Sequence, residues 1–212
     1  MNLPRLCEKR GGFVFGLEEV CYHQISDVGL CGVGVGETEA GLWYNSGMSG
    51  KPKVYLETSF ISYMVGKDTT NVKIASEQAW TRKWWAEIAP ACDVFASNFV
   101  VEEAKDGAED YVARRLEFLK DIPLLSYDRE KVKQLATRLL GDEAFPPNAK
   151  VDAFHVATAA VCGVDYLLTW NCKHIANPVR LPQTIDVIRK SGFVCPQILK
   201  PSTYFEYMEL EG

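Results

Sequence analysis

From Lys51 onward, short apolar runs alternate with longer stretches whose apolar residues recur at helical spacing. Lys53 to Leu56 is a short, β-rich run of the kind a buried strand shows, and C-D-V-F-A at 92–96 predicts a second strand. Between them, residues 72–89 place Ile74, Trp80, Trp84, Trp85 and Ile88 near a 3.6-residue period, which predicts a long helix. Ser97 or Asn98 can cap a further helix carrying Val100, Val101 and Ala104. Residues 108–120 put Val112, Leu116 and Leu119 on one helical face, Pro123 and Leu124 open a short extended piece, and 128–140 turn Val132, Leu135 and Leu139 inward. After a loop marked by Pro146 and Pro147, K-V-D-A-F-H-V-A-T-A-A-V-C reads as a central helix of small and apolar residues. D-Y-L-L-T at 165–169 is the next strand, followed by the compact W-N-C-K-H-I-A-N-P, a helix over 183–191 and an edge strand over 195–199.

Strands alternating with helices argue for an α/β fold with a mostly parallel sheet and helices on both faces. Right-handed crossovers then gather the strand C-termini on one edge, where open α/β sheets bind ligands. Residues 1–50 read differently. Segments such as G-G-F-V-F-G and G-L-C-G-V-G-V-G-E-T-E-A-G are Gly-rich, keep no period and lead into no capped apolar stripe. They suggest a flexible N-terminal extension that buries too little apolar surface to offset its ordering entropy. Met48, just ahead of the first strand, suggests a translation start there, with the upstream part a misassigned extension; the rival is a genuine flexible tail. The expected organisation is thus an extension at 1–50, a domain at 51–205 and a tail at 206–212.

With 47% hydrophobic and 24% charged residues, the composition is that of a globular chain whose length suits one domain and an appendage. No run of about eighteen apolar residues is present to span a bilayer, and the first fifty residues lack a secretory core, so the expected compartment is the cytoplasm. The formal charge of −5 counts against a protein that grips nucleic acid by broad phosphate neutralisation. It leaves room for an enzyme that meets phosphate through a bound cation, which reverses the local sign. The seven cysteines form no C-x-x-C pair and are read as ordinary buried residues of a reduced protein.

Four polar residues fall at the expected ligand edge. Glu57 ends the first strand, Glu103 lies early in the helix after the second, Asp152 opens the small-residue helix, and Asn171 follows D-Y-L-L-T. Like charges brought together are costly unless a cation neutralises them, and oxygen donors without thiolates favour Mg²⁺ or Mn²⁺. Each residue also has an ordinary explanation as a cap, a helix N-terminal charge or a solvated group. Of the adjacent Glu102 and Glu103 only one can point inward; His155, three residues past Asp152, suits a hydrogen-bonded core histidine better than a ligand; and Asp165 suits a turn. Spacing alone leaves a metal site and a set of structural polar groups both open.

The stretches V-Y-L-E-T-S-F-I-S, S-x-x-V-x-x-E-x-x-x-G from Ser97 to Gly107, and D-A-F-H-V-A-T-A-A-V-C-G-V-D-Y-L-L-T-W-N-C-K-H-I-A-N resemble the PIN-domain family, in particular its branch of toxins from toxin–antitoxin pairs. The resemblance spans roughly residues 51–205 and is most specific from Asp152 to Asn177. It implies a three-layer α/β/α, Rossmann-like fold and an acidic site that binds Mg²⁺ or Mn²⁺ and cleaves RNA. It places the family's acids on Glu57, Glu103 and Asp152 as metal ligands, and its fourth position on Asn171; Gly107, four residues on, favours Glu103 over Glu102. Glu57 stands where Asp is usual, and the neutral Asn171 removes a charge, which weakens metal binding and disfavours a stable two-metal site.

The implied chemistry is metal-assisted phosphodiester hydrolysis, with Glu57, Glu103, Asp152 and Asn171 as the catalytic set. Thr58 and Ser59 offer hydroxyls beside the first acid. Thr58, Lys173 and His174 are the candidates for contact with substrate, although Lys173 and His174 suit surface positions equally. RNA would be the substrate, and an antitoxin or a second copy of the chain the partner. Two rivals stand: a degenerate PIN fold that binds RNA or protein without cutting, and an interaction module using the Trp-rich helix at Trp80, Trp84 and Trp85, whose ordinary role is core.

Overall fold

The computed structural model describes residues 50–211; the Gly-rich segment and the suggested start at Met48 lie outside the described residues. Strand β1 (Lys53–Leu56) leads into helix α1 (Thr58–Met64), and α2 (Val72–Glu87) follows. Next come β2 (Asp93–Phe95), α3 (Asn98–Glu103), α4 (Glu109–Leu119) and α5 (Arg129–Gly141). Helix α6 (Lys150–Cys162) leads to β3 (Tyr166–Leu168), α7 (Leu181–Lys190), β4 (Gln197–Leu199) and α8 (Pro201–Glu211). The strands pair in the order β2-β1-β3-β4, every pair parallel, so the α/β class and the parallel sheet expected from the alternation are present.

Val54, Tyr55 and Leu56 are all fully buried, so β1 is covered on both faces, as a central parallel strand must be. The register assigns the faces. Val54 pairs with Tyr166, whose ring meets Tyr204 of α8 at 5.2 Å, so this face lies under α8. Tyr55 points the other way and bonds His155 of α6. The sheet is therefore the middle of three layers.

The three tryptophans of α2 point into the protein. Trp84 is fully buried, edge-on to Phe60 of α1 at 5.5 Å and to Tyr204 at 5.9 Å; Trp80 meets Phe205, and Trp85 meets Phe118. Burying a large aromatic contributes about 1.5–3 kcal/mol, and these rings hold α8 against α2. Helix α8 runs from Pro201 across the position where the sequence suggested a tail.

Two short elements had weak signals. Only Glu57 separates α1 from β1, and it is the helix N-cap, its carboxylate accepting the Ser59 N–H. The extended piece at Pro123–Leu124 pairs with β2 through a single bridge, Ala96 to Leu124. At two helix ends the caps are as the residue types suggest. Asp128 accepts the N–H groups of Glu130 and Lys131 at the start of α5, and Gly163 takes the left-handed conformation (φ 60°) that ends α6. Asp165 accepts the Lys53 N–H at 2.7 Å, so the expected turn residue ties the start of β3 to that of β1.

Candidate metal centre

Parallel strands with right-handed returns put Glu57, Ser97 and Thr169, each just past the last residues of β1, β2 and β3, at one edge of the sheet. Glu57 extends the ladder by one bond, its N–H donating to Leu168 O at 3.1 Å. Its carboxylate is buried, a costly placement that hydrogen bonds must offset. Three donors converge on Oε2: the Ser59 N–H at 3.1 Å, the Ser59 hydroxyl and the Thr169 hydroxyl at 2.7 Å. Those hydroxyls are oriented in turn, Ser59 Oγ accepting the Trp170 N–H at 2.7 Å and Thr169 Oγ1 the Asn171 N–H at 2.9 Å.

Glu103, at the end of α3, is gripped in the same manner. Its Oε2 accepts the Thr58 hydroxyl and lies 2.7 Å from His155 Nε2. Partial burial pushes the Glu103 carboxyl up, but the hydrogen bond from His155, the electrostatic pull of that ring and the Thr58 hydroxyl together hold it below its ordinary value. Carboxylate oxygens of Glu57 and Glu103 and a nitrogen of His155 all lie within 4.8 Å of one another. Every hydrogen bond the structure gives these two carboxylates ends on Oε2.

Asp152 and Asn171 come together a short way off. Asn171 Nδ2 donates to Asp152 Oδ1 at 2.9 Å, and His174 Nδ1 lies 2.7 Å from Asp152 Oδ2. The Asn171 side-chain oxygen Oδ1 accepts the His174 N–H at 3.1 Å, which folds the W-N-C-K-H segment back on itself. Asp152 and His174 are both mostly covered, with 15% of each side chain exposed. Thr169 joins the two groups, since its hydroxyl takes the Asn171 N–H and gives its own hydrogen to Glu57.

The expected residues thus fall into two sets. Glu57, Glu103 and Thr58 share one cluster; Asp152, Asn171 and His174 share another, and Lys173 is exposed beside the second. Thr58 and Ser59 spend their hydroxyls on the carboxylates. Glu102, exposed, pairs with Lys105 at 2.7 Å, leaving Glu103 as the inward acid. Sequence reasoning did not single out Tyr55 and Thr169, and took Ser97 only as a helix cap. Tyr55 Oη lies 2.7 Å from both Ser97 Oγ and His155 Nδ1. Ordinary strand-and-cap residues carry no signal of that kind in one sequence. Of the described cysteines, all free, only Cys92 is buried and Cys172 is exposed, which corrects the expectation of uniformly buried thiols.

No family model matches the chain, and no curated protein matches it by sequence. Among solved structures it is similar to a chain of the VapBC2 complex from Rickettsia felis bound to a DNA fragment from their promoter. That chain is 15% identical, and the match covers 70% of this chain and 98% of that one with a TM-score of 0.47. At that distance the function has to be argued from this chain's own residues. No helix among the described residues is long and apolar enough to cross a membrane.

Proposed function

We propose that this protein is a divalent-metal-dependent ribonuclease, the toxin of a toxin–antitoxin pair. The observation that carries the reading is the pair of carboxylates at the C-terminal edge of the sheet. Glu57 and Glu103 are each fixed through one oxygen, with the other left over and ligand atoms within 4.8 Å. Two preset oxygen donors suit a hard cation such as Mg²⁺ or Mn²⁺. The motif resemblance supports the same reading from the sequence side.

Glu57 and Glu103 would hold the cation. Asp152 is the third acid of the set, kept in place by Asn171 and His174. A cation there supplies charge for the scissile phosphate and lowers the pKa of a water. The protein's own part is orientation: the strand-end hydroxyls and N–H groups fix Glu57, Thr58 and His155 fix Glu103, and Asn171 and Lys173 offer groups to the phosphate backbone. An antitoxin would cover this edge, and two copies of the chain would pair.

One observation favours a second reading, a degenerate domain that binds without cutting. Both oxygens of Asp152 are engaged, and the neutral Asn171 occupies the fourth position. Incubation of the full chain with a mixed-sequence RNA in MnCl₂, in EDTA, and as Glu57→Gln decides between them. Cleavage lost on chelation and on substitution is the expected result. Tight Mn²⁺ binding without cleavage of any RNA would give the second reading.

A further inference from the structure

The imidazole of His155 lies close enough to the acids to be a ligand of the cation. We infer that it is instead a positioning donor: His155 holds Glu103 through Nε2–H, and Ser97 and Tyr55 lock the ring in that role from beneath. This inference rests on the metal-site reading.

Both ring nitrogens are already committed, Nε2 to Glu103 Oε2 and Nδ1 to Tyr55 Oη, each at 2.7 Å. An ionised carboxylate only accepts, so Nε2 must carry the hydrogen. The Tyr55 phenol, 2.7 Å from Nδ1, is a donor at neutral pH and can give its hydrogen to Nδ1. The Ser97 hydroxyl then donates to Tyr55 Oη, and the chain runs Ser97 to Tyr55 to His155 to Glu103 with every donor used. If Nδ1 were protonated and the chain reversed beyond it, Nε2 would still carry its hydrogen. To ligate a cation, the ring would have to give up one of these bonds.

Giving one up is costly in this location. Tyr55, Ser97 and His155 are all fully buried, and an abandoned partner would stay unpaired away from water. The ring is also boxed, with Phe99 edge-on at 6.2 Å and Tyr55 tilted at 6.0 Å, so it cannot swing toward the acids without repacking. Ser97 lies just past β2, Tyr55 on β1 and His155 on α6, so the chain ties three elements together under one carboxylate. Outer partners of this kind fix the orientation of a ligand, and their loss commonly weakens metal binding about 10–100-fold.

The test uses the full ¹⁵N-labelled chain and long-range ¹H–¹⁵N spectra of its imidazoles, with His155→Gln assigning the ring. The expected result is a protonated Nε2 both without metal and at saturating Mg²⁺, and ring signals that move in Tyr55→Phe. Calorimetry with MnCl₂ then separates the roles: His155→Gln, whose amide can still donate to Glu103, should stay within about 3-fold of wild type. His155→Leu, with no donor, should lose about 10–100-fold. Loss of the Nε2 hydrogen on adding Mg²⁺, or equal losses for the Gln and Leu variants, overturns the inference. If the wild type binds neither ion, the nuclease reading fails by itself; the metal-free spectra still decide the chain, and an unprotonated Nε2 there overturns it.

Discussion

The floor and the rim of the site treat their carboxylates differently. On the floor, Glu57 and Glu103 are each held through Oε2 alone, by strand-end hydroxyls, a backbone N–H and a buried imidazole. On the rim, Asp152 has both oxygens engaged, one by Asn171 and one by His174. The floor's partners come from the first turn of α1, the β3 end and α6, which the core fixes. The rim's partners both come from the segment that follows β3. A carboxylate with every hydrogen bond on one oxygen presents the other as a preset ligand, whereas one with a bond on each oxygen offers a cation only the remaining lone pair of either. The comparison predicts a cation whose affinity is set by the floor and whose use depends on the rim.

Neutralising the floor should have the largest effect. Glu57→Gln or Glu103→Gln removes a negative ligand yet keeps the shape, and cleavage should fall by more than about 100-fold, beyond the loss usual for a residue that only orients a ligand. Mn²⁺ affinity by calorimetry should fall with it. Asp152→Asn is next. Cleavage should drop about 100-fold while Mn²⁺ affinity falls less than in Glu57→Gln, which separates use of the cation from its capture. Equal affinity losses in the two variants would erase the distinction between floor and rim.

Much of the framework that carries these residues was legible in the sequence, and the rest was hidden for physical reasons. Strand β1 has the expected limits, and Glu57, Glu103, Asp152 and Asn171 all come to the expected edge, because periodicity and chain direction are written in apolar spacing. Helix α1 carried no such mark, since only Glu57 separates T-S-F-I-S-Y-M from the strand and its cap is the candidate ligand itself. How the acids divide between two clusters was also unreadable. It depends on Thr169 and Tyr55, which in sequence look like ordinary strand residues, and on Ser97, whose hydroxyl bonds Tyr55 rather than capping α3. His155 was better anticipated: a hydrogen-bonded core histidine is what the structure contains, with Glu103 as the partner that spacing could not name.

Thr169→Val cuts the link between the two regions. The change is nearly isosteric, but it strips one donor from Glu57 and leaves the Asn171 N–H without its acceptor. Denaturant unfolding should show a loss of about 1–3 kcal/mol, the cost of leaving buried polar groups unpaired. Mn²⁺ affinity should fall about 10-fold. Unchanged affinity with reduced stability would mean that Ser59 alone suffices to hold Glu57.

The smallest effect is a pH dependence that belongs to the floor. The Glu103 carboxyl is held below its ordinary value, so folding favours its charged form. The stability this contributes is fully present above about pH 4.3, where a free glutamate ionises, and is lost as pH falls through the lowered folded value. Unfolding of wild type and Glu103→Gln in EDTA, compared from pH 7 to 3, should therefore show a steady difference that closes only at the acid end. About a third of the Glu103 side chain is exposed, so water screens the interaction and the difference should be modest. A gap already closing between pH 6 and 5 would mean that the Glu103 carboxyl is not held below its ordinary value, and that its hydrogen bonds do not favour the charged form.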